Sequence, residues 1–333
     1  MKILGIESSC DDTAAAVVTD DKTILSNVVY SQELTHKLYG GVVPEIAARA
    51  HIDKISDVVQ HALSRANCSV DDIDLIAATA GPGLIGGLIV GTSFAKAMAV
   101  SLNKPYIPIN HLEGHALTAR LTNNVEYPYL LFLLSGGHCQ SMIVRGYGDY
   151  SVIGRTLDDA IGESFDKAAK MLGLPTPGGP FIEKAALSGD PKKFKFSAPM
   201  LGRNDFSFSG LKTAVRIQVE KIHTLSKQDI SDLSASFQQS ICDVILDKLK
   251  QLLKDKRFID VKQLVLGGGV GANAAIRSSL QKACNEREIS LIAPPAKFCT
   301  DNAAMIAWAA VERATNGFAE DLEFCPNPNW QIV

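Results

Sequence analysis

The chain has 333 residues, of which 46% are hydrophobic, and its formal net charge is −3 at pH 7. This length allows a large core and favours two domains, and the near balance of charge excludes a wholly basic nucleic-acid-binding protein. Seven scattered cysteines without a Cys-x-x-Cys pair argue against a disulfide framework or a cysteine zinc site. The first predicted strand leaves no room for a signal peptide, and the apolar stretch 85–100 is interrupted by glycine, serine and lysine. We therefore expect a cytoplasmic protein with no membrane segment.

The first third of the chain predicts three strands, a helix, a strand, a helix and a fifth strand. Short apolar runs predict the strands at 2–7, 14–18, 23–31, 75–80 and 106–110. Apolar residues at helical spacing predict helices at 44–66 and 87–102, with Ile46, Ile52, Ile55, Val59 and Leu63 on the buried side of the first. Another helix is expected to begin at about His111, because the residues that follow contain no helix breaker.

The second part of the chain repeats this order with little sequence similarity between the two copies. Strands are predicted at 129–134, 140–145, 150–155, 263–266 and 290–293, and helices at 158–172, 231–254 and 272–287. A last helix runs from Asp301 to about Asn316. The repeat predicts two α/β lobes of like topology with a ligand cleft between them. Residues 174–230, which are rich in glycine, proline and lysine, read as an insertion.

Two histidines one helical turn apart, His111 and His115, can face one metal ion. Zinc peptidases place their general base directly after the first histidine, whereas Glu113 is the third residue here. Asp301, directly before the last helix, would complete a site of two histidines and one carboxylate that suits iron(II) or zinc. Two alternatives stay open: histidines that only form hydrogen bonds at a helix start, and Asp301 as a helix N-cap.

Three turns of small residues follow predicted strands, at 8–13, 135–138 and 267–273. Glycine lets backbone N–H groups approach phosphate closely, so the turns together indicate a nucleotide site that is neither a Rossmann nor a P-loop motif. The position of Asp166 on the predicted helix 158–172 indicates a solvated carboxylate paired with Lys170. A basic region interleaved with phenylalanine is either a solvated surface or an RNA contact. Its cations are Lys192, Lys193, Lys195, Arg203, Lys212 and Arg216.

With these motifs in order, the chain resembles the bacterial tRNA N6-adenosine threonylcarbamoyltransferases, the TsaD (YgjD/Gcp) family. The motifs that carry the resemblance are 5–11, 111–115, 135–138, 165–167, 177–180, 206–212, 267–270 and 300–302, so it covers nearly the whole chain. The resemblance implies the actin-like ATPase and sugar-kinase (ASKHA) fold, with two duplicated RNase H-like lobes and a nucleotide cleft between them. The lobes would be 1–125 and 126–333, with the insertion at about 174–230 and the final helix, about 301–317, near the first lobe.

The resemblance also implies residue roles. His111, His115 and Asp301 would bind one Fe²⁺ per subunit, with zinc as an alternative. The adenylate-binding positions would be Leu134, Ser135, Gly136, Gly137, His138, Asp166, Gly179, Glu183 and Asn273. Some family members carry aspartate at the position of Glu183. Asp11 and Asp12 match the acidic pair of the phosphate loop, and Asp11 is the candidate that orients or deprotonates the substrate amine.

The implied reaction transfers the L-threonylcarbamoyl group of threonylcarbamoyl-AMP to N6 of adenosine 37 in tRNAs that read ANN codons, with release of AMP. The implied partners are the tRNA anticodon loop, a TsaB paralogue and a TsaE ATPase. The alternatives are a metal-dependent peptidase, which is the historical O-sialoglycoprotein endopeptidase interpretation, an ASKHA-type kinase, and a scaffold without activity. The helix at 87–102 is apolar enough to be either a dimerisation face or part of the core.

Overall fold

The computed structural model describes residues 1–39, 41–258, 260–317 and 321–332. Its contacts divide the chain into two compact units. The first unit combines Met1–Asn124 with Thr300–Val333, and the second is Val125–Cys299. In this division the last helix belongs with the N-terminal segment and not with Val125–Cys299.

The first unit contains a five-stranded sheet in the order β3-β2-β1-β4-β5. Its strands are β1 (Lys2–Glu7), β2 (Asp12–Thr19), β3 (Ile24–Ser31), β4 (Leu75–Gly81) and β5 (Tyr106–Asn110). β2 runs antiparallel to β1 and β3, whereas β1, β4 and β5 are parallel. β1 and β4 are buried along almost their whole length, which explains why their sequences are continuous apolar runs.

The second unit contains a sheet of the same design, in the order β10-β9-β6-β7-β8. Its strands are β6 (Tyr129–Leu134), β7 (Cys139–Gly146), β8 (Asp149–Arg155), β9 (Gln263–Gly267) and β10 (Ser290–Ile292). β6, β7 and β8 are antiparallel neighbours, and β6, β9 and β10 are parallel. Each strand of one unit has a counterpart at the same place in the other, so the predicted α/β duplication is confirmed.

The described residues form ten α-helices. They are α1 (Glu33–Lys37), α2 (Pro44–Arg65), α3 (Ile85–Leu102), α4 (His111–Asn123), α5 (Ile161–Met171), α6 (Gly178–Ala186), α7 (Ser209–Ile222), α8 (Lys227–Lys254), α9 (Ala274–Asn285) and α10 (Ala303–Thr315). The predicted helices end within a few residues of these bounds. α1, α6 and α7 were not predicted. The region predicted as an insertion therefore contains two helices.

The buried side of α2 differs from the prediction at Ile52, which is 63% exposed. Ala47, His51 and Ile55 lie one turn apart and form the buried stripe together with Val58 and Val59. Ile52 follows His51 directly, and one residue turns the helix by about 100°, so its side chain leaves that stripe.

Small residues bring α10 close to β1 and α4 in the first unit. A Cβ atom on Gly5 of β1 would lie 2.5 Å from the carbonyl oxygen of Ala303. A Cβ atom on Gly114 of α4 would lie 3.1 Å from Cγ of Met305. Further along the two helices, Arg120 and Glu312 form an ion pair of 2.6 Å. α4 and α10 therefore run side by side in the same direction, with their first residues at the same end.

α3 has two different sides. Gly87 and Gly91 face the turn after β1, since a Cβ atom on Gly91 would lie 2.1 Å from Oγ of Ser8. Ile85, Ile89 and Val100 on the other side are 47%, 49% and 66% exposed. By length and composition, α3 is the one helix of the described residues that passes a test for a membrane span, a test that core helices of soluble proteins also pass.

Candidate active site

The first unit presents both histidines of the predicted metal site at the start of α4. Asn110 is the N-cap of this helix, and its Oδ1 accepts hydrogen bonds from the N–H groups of Leu112 (2.9 Å) and Glu113 (3.4 Å). This cap fixes His111 as the first residue of the helix. His111 and His115 are both buried, and their ring centroids are 4.7 Å apart.

Asp301 meets both histidines. Its Oδ1 lies 3.1 Å from Nε2 of His115 and 3.5 Å from Nε2 of His111. One ligand atom from each of the three residues lies within 4.8 Å of the others. The N-cap interpretation of Asp301 is wrong, because α10 begins at Ala303 and the side chain of Asn302 caps it by accepting from the N–H of Met305.

Glu7 and Ser9 contact the ring of His111. Ser9 belongs to the turn that was predicted to bind a nucleotide, whereas Glu7 was not predicted as a site residue. Nδ1 of His111 lies 3.0 Å from Oε2 of Glu7 and 3.1 Å from Oγ of Ser9. Glu7 also accepts hydrogen bonds from the N–H of Ser9 and the hydroxyl of Thr79. A metal-binding histidine usually donates its second ring N–H to such a carboxylate, which leaves Nε2 for the metal. The sequence signal that could have identified Glu7 is its place as an acidic residue at the end of a buried apolar strand.

Acidic groups dominate the electrostatics of this site. Burial disfavours the charged form of His111, but the attraction of Asp301 and Glu7 outweighs it and raises its pKa well above 6.5. His111 in turn holds the pKa of Asp301 well below its usual range, against the effect of burial. Burial and the neighbouring Asp11, Asp301 and Glu7 raise the pKa of Asp12 to about 7. A divalent cation would offset this accumulated negative charge.

The turn that carries Asp11 is held by contacts along its backbone. The hydroxyl of Ser8 donates to the carbonyl of Gly87, and the carbonyl of Ser9 accepts from the N–H of Leu84 at 2.7 Å. His51 contacts the carbonyl of Cys10 at 3.1 Å, and the carbonyl of Asp11 accepts from the N–H of Gln32. The side chain of Asp11 is half-buried. The turn is thus rigid at the backbone while this carboxylate stays accessible.

The corresponding turn of the second unit offers backbone groups. The N–H of Ser135 donates to the carbonyl of His138 at 2.8 Å, and the N–H of His138 donates to Oγ of Ser135 at 3.0 Å. The carbonyl of Ser135 accepts from the N–H of Gly162, near the start of α5. Leu134 is fully buried, and its carbonyl lies so close to Gly268, at φ +84°, that a side chain there would collide. Glycines thus bring this turn, α5 and the 267–270 segment together.

The remaining predicted adenylate residues link the starts of further helices. Oδ1 of Asp166 on α5 accepts from the N–H of Gly178, the first residue of α6, at 2.6 Å. Asp166 therefore bonds the start of α6, and among the ion pairs of the described residues there is none between Asp166 and Lys170. Burial raises the pKa of Asp166, and the hydrogen bond from Gly178 opposes that rise. Gly179 is the second residue of α6 and has open space around it.

α6 is joined to α9 in the same way. Oε1 of Glu183 accepts from the N–H of Ala274, the first residue of α9, at 2.6 Å. Asn273 caps α9 through Ile276 and donates to Oε1 of Gln238 on α8 at 2.9 Å. Gln238 lies in the middle of a helix, where the sequence offered no signal for it. The predicted adenylate residues thus lie around the N-termini of α5, α6 and α9, which favour an anion.

The comparisons with known proteins agree with the motifs. Residues 23–308 match the TsaD family model, described as tRNA N6-adenosine threonylcarbamoyltransferase. The chain belongs to the TsaD family. Relatives named tRNA N6-adenosine threonylcarbamoyltransferase include those of Chelativorans sp. (strain BNC1), 54% identical over 99% of this chain and 95% of the relative, and of Methylocapsa acidiphila, 54% identical over 100% and 97%.

Solved structures of distant proteins show the fold alone. HypF of T. kodakarensis aligns with 95% of this chain and 48% of its own, with 15% identity and a TM-score of 0.64. The ROK hexokinase of Thermus thermophilus covers 95% of this chain and 100% of its own, with 17% identity and a TM-score of 0.52. The predicted ASKHA fold is confirmed. The predicted enzyme class, an acyltransferase of the TsaD family, is also confirmed, and the peptidase and kinase alternatives gain no support.

Proposed function

We propose that this TsaD-family protein transfers the L-threonylcarbamoyl group of threonylcarbamoyl-AMP to N6 of adenosine 37 in tRNAs that read ANN codons, and releases AMP. The observation that carries the proposal is the group of helix N-termini around the Ser135 turn in the second unit. Backbone N–H groups and helix dipoles favour the phosphate of an adenylate without requiring a basic side chain. The same arrangement serves the donor before transfer and AMP after it.

The donor determines which catalytic groups the protein needs. Threonylcarbamoyl-AMP is a mixed anhydride, so the adenine amine attacks the carbamoyl carbon, a new C–N bond forms, and the bond from that carbon to the phosphate oxygen breaks. AMP leaves with the electron pair of that bond, and the amine proton passes to a base. A weakly nucleophilic amine depends on an electrophile held in line, and the backbone N–H groups of Gly136 and Gly137 would stabilise charge on the departing phosphate.

We propose that His111, His115 and Asp301 bind one Fe²⁺, with zinc as the alternative. The donor set of two imidazole nitrogens and one carboxylate suits either ion, and Glu7 gives His111 the supporting carboxylate that metal sites use. When bound, the ion would supply positive charge that polarises a carbonyl or orients the donor phosphate. The excess of carboxylates around the three residues supports a cation at this place.

Asp11 is our candidate for the group that orients or deprotonates the amine. Its backbone is held by Gln32, and its side chain is half-buried. Asp12 is the next residue, but one of its carboxylate oxygens is buried and has no hydrogen-bond partner among the described residues. Accessibility therefore favours Asp11 as the residue that reaches a substrate.

We propose that the protein acts in the cytoplasm, away from any membrane, with a TsaB paralogue and a TsaE ATPase. The exposed apolar side of α3, formed by Ile85, Ile89 and Val100, offers a surface for the paralogue. The substrate tRNA would present adenosine 37 unstacked from its anticodon loop, since an exocyclic amine inside a stack is out of reach.

Single-turnover transfer of labelled threonylcarbamoyl from its adenylate to an A-decoding tRNA transcript tests the proposal. Wild type is compared with His111→Ala and Asp301→Ala in the presence of the purified partners. We expect product at adenosine 37 with wild type and loss of product with both variants. Transfer that is equal in all three proteins would make the histidine and aspartate set structural. No transfer with wild type under any combination of partners would overturn the proposed reaction.

A further inference from the structure

A basic stretch stands out in a chain that is acidic overall. Residues 184–227 contain nine lysine or arginine residues and three aspartate or glutamate residues, although the whole chain has a net charge of −3. The stretch therefore has a formal net charge of +6, and the rest of the chain has −9. The overall negative charge would not attract a polyanion. A polyanionic ligand would therefore need a local basic surface, and this stretch provides one.

Part of this stretch, residues 188–203, forms a segment that we call the α8 strap because its backbone is bonded to side chains of α8. The carboxylate of Asp232 accepts from the N–H of Asp190, and the carboxylate of Asp247 accepts from the N–H of Gly202. Between these ends, Ser236 bonds the backbone of Asp190 and Phe194, and Ser240 bonds the carbonyl of Phe196. The strap is thus held along its length without being a regular element.

Lys248 of α8 holds one point of the strap in a fixed position. Its side chain is fully buried, and its ammonium group donates to the carbonyl of Met200 at 2.5 Å and contacts Asp247 at 3.1 Å. A buried ammonium group is destabilising unless it is paired and hydrogen-bonded. α8 therefore uses a buried charge to fix the position of one strap carbonyl.

The side chains of the strap point to opposite sides. Phe194 and Phe196 pack against the core of the second unit with their rings stacked 6.3 Å apart. Lys193 pairs with Asp232 at 2.7 Å and is neutralised. Lys192, Lys195 and Arg203 are exposed. Within the described residues, no carboxylate oxygen lies within 4.0 Å of the charged nitrogens of these three side chains.

We propose that Lys192, Lys195 and Arg203 on the α8 strap bind phosphate groups of the substrate tRNA. The inference rests on the proposed function, in which tRNA is the substrate. It adds which surface of this chain binds the tRNA. Cations on a fixed backbone match a rigid polyanion, because the phosphates of a folded RNA keep constant spacing. The strap would position the tRNA without reading its sequence.

Binding of an unmodified A-decoding tRNA transcript to the full chain, measured at several salt concentrations, tests this proposal. The triple variant Lys192→Ala, Lys195→Ala and Arg203→Ala is compared with a matched variant, Lys250→Ala, Lys262→Ala and Lys282→Ala, which removes three exposed cations from the same unit outside the strap. We expect the strap variant to bind roughly 10- to 100-fold more weakly at 0.1 M salt. The slope of log K against log salt should fall by about 2 to 3, since each lost phosphate contact removes about 0.7–0.9.

Two further readouts separate the possible failures. The strap variant should raise KM for tRNA and leave kcat and the metal content unchanged, and Lys195→Gln alone should show a smaller loss of binding in the same direction. Equal tRNA binding by the strap and matched variants would overturn the inference while leaving the proposed function intact. Loss of TsaB or TsaE binding with unchanged tRNA binding would also overturn it and make the strap, with Leu201 exposed beside it, a protein contact. A wild-type protein that binds no tRNA would contradict the proposed function itself.

Discussion

The two units have the same sheet but collect different chemistry on it. In both, a turn follows the first strand, at residues 8–11 in one unit and 135–138 in the other. The first turn lies among carboxylates and two histidines, whereas the second presents glycines and backbone N–H groups. The shared topology therefore decides where a turn lies, and the side chains in the turn decide whether it suits a cation or an anion.

The helix starts show the same division. α4 and α10 begin with asparagine caps, and the residues beside those caps contribute His111 and Asp301 to the candidate metal site. The starts of α5, α6 and α9 are linked through Asp166 and Glu183 and hold no pair of histidines. One unit thus uses helix starts to aim side chains, and the other joins its helix starts to one another through the carboxylates of Asp166 and Glu183.

The strongest test of this contrast removes a ligand from the first unit. We expect His115→Ala to reduce metal affinity by more than about 100-fold, because losing a direct ligand costs more than the 10- to 100-fold typical of a supporting residue. Transfer activity should be lost with the metal. Elemental analysis of the purified protein and a single-turnover assay measure both effects. The exposed His61→Ala on α2 serves as the control, and equal metal content in the two variants would contradict the assignment.

Glu7 tests whether the support behind His111 matters. Glu7→Gln keeps the size of the side chain but removes the charge that faces Nδ1 of His111. We expect metal affinity to fall by about 10- to 100-fold, with a smaller loss of transfer once metal is added in excess. Competition with a chelator of known affinity gives the value. An unchanged metal affinity would mean that Glu7 serves only Ser9 and Thr79.

The sequence was sufficient where the deciding interactions are local. Strand and helix periodicity predicted both sheets and seven helices, and helical spacing brought His111 and His115 together. It was not sufficient where the partner is distant. Asp301 and Asn302 are adjacent and equally good caps, and only the packing of α10 against α4 determines which one faces the histidines.

The missed helices have the same explanation. α6 begins with Gly178 and Gly179, residues that sequence patterns associate with turns but that a helix tolerates in its first turn. The N-terminus of α7 is held by Asp158, which accepts from the N–H groups of Phe208 and Ser209, about fifty residues along the chain. Glu7 was missed as a site residue because His111, its partner, lies 104 residues away.

The carboxylates that accumulate in the first unit predict that its stability depends on pH. The pKa of Asp12 is about 7 in the fold against 3.8 for an ordinary aspartate. A raised pKa means that protonated Asp12 favours folding, so this contribution is complete below pH 3.8 and is lost as the pH rises through 7. In metal-free protein, Asp12→Asn should therefore be more stable than wild type at pH 8 by roughly 4 kcal/mol, with little difference at pH 4.

Urea unfolding at pH 4, 6 and 8 with a chelator present measures this difference. Added Fe²⁺ or Zn²⁺ should reduce it, because a cation nearby favours the ionised form of Asp12. Asp53→Asn, an exposed aspartate of α2, is the matched control. If both variants show the same stability difference from wild type at every pH, burial among carboxylates does not raise the pKa of Asp12.

The smallest expected effect tests the second unit on its own. Asp166→Ala removes the acceptor for the N–H of Gly178 and should reduce the free energy of unfolding by about 1 kcal/mol, as the loss of a helix cap does. The variant should raise KM for the adenylate and leave the metal content unchanged, because Asp166 lies in the second unit, among the predicted adenylate residues, and the metal ligands lie in the first unit. Lys170→Ala on the same helix is the control, since Lys170 was the alternative partner of Asp166. An equal loss in both variants would favour the surface ion pair between Asp166 and Lys170 over the bond from α5 to α6. A loss confined to Asp166→Ala would show that bonds between helix starts, and not surface charge, stabilise this unit.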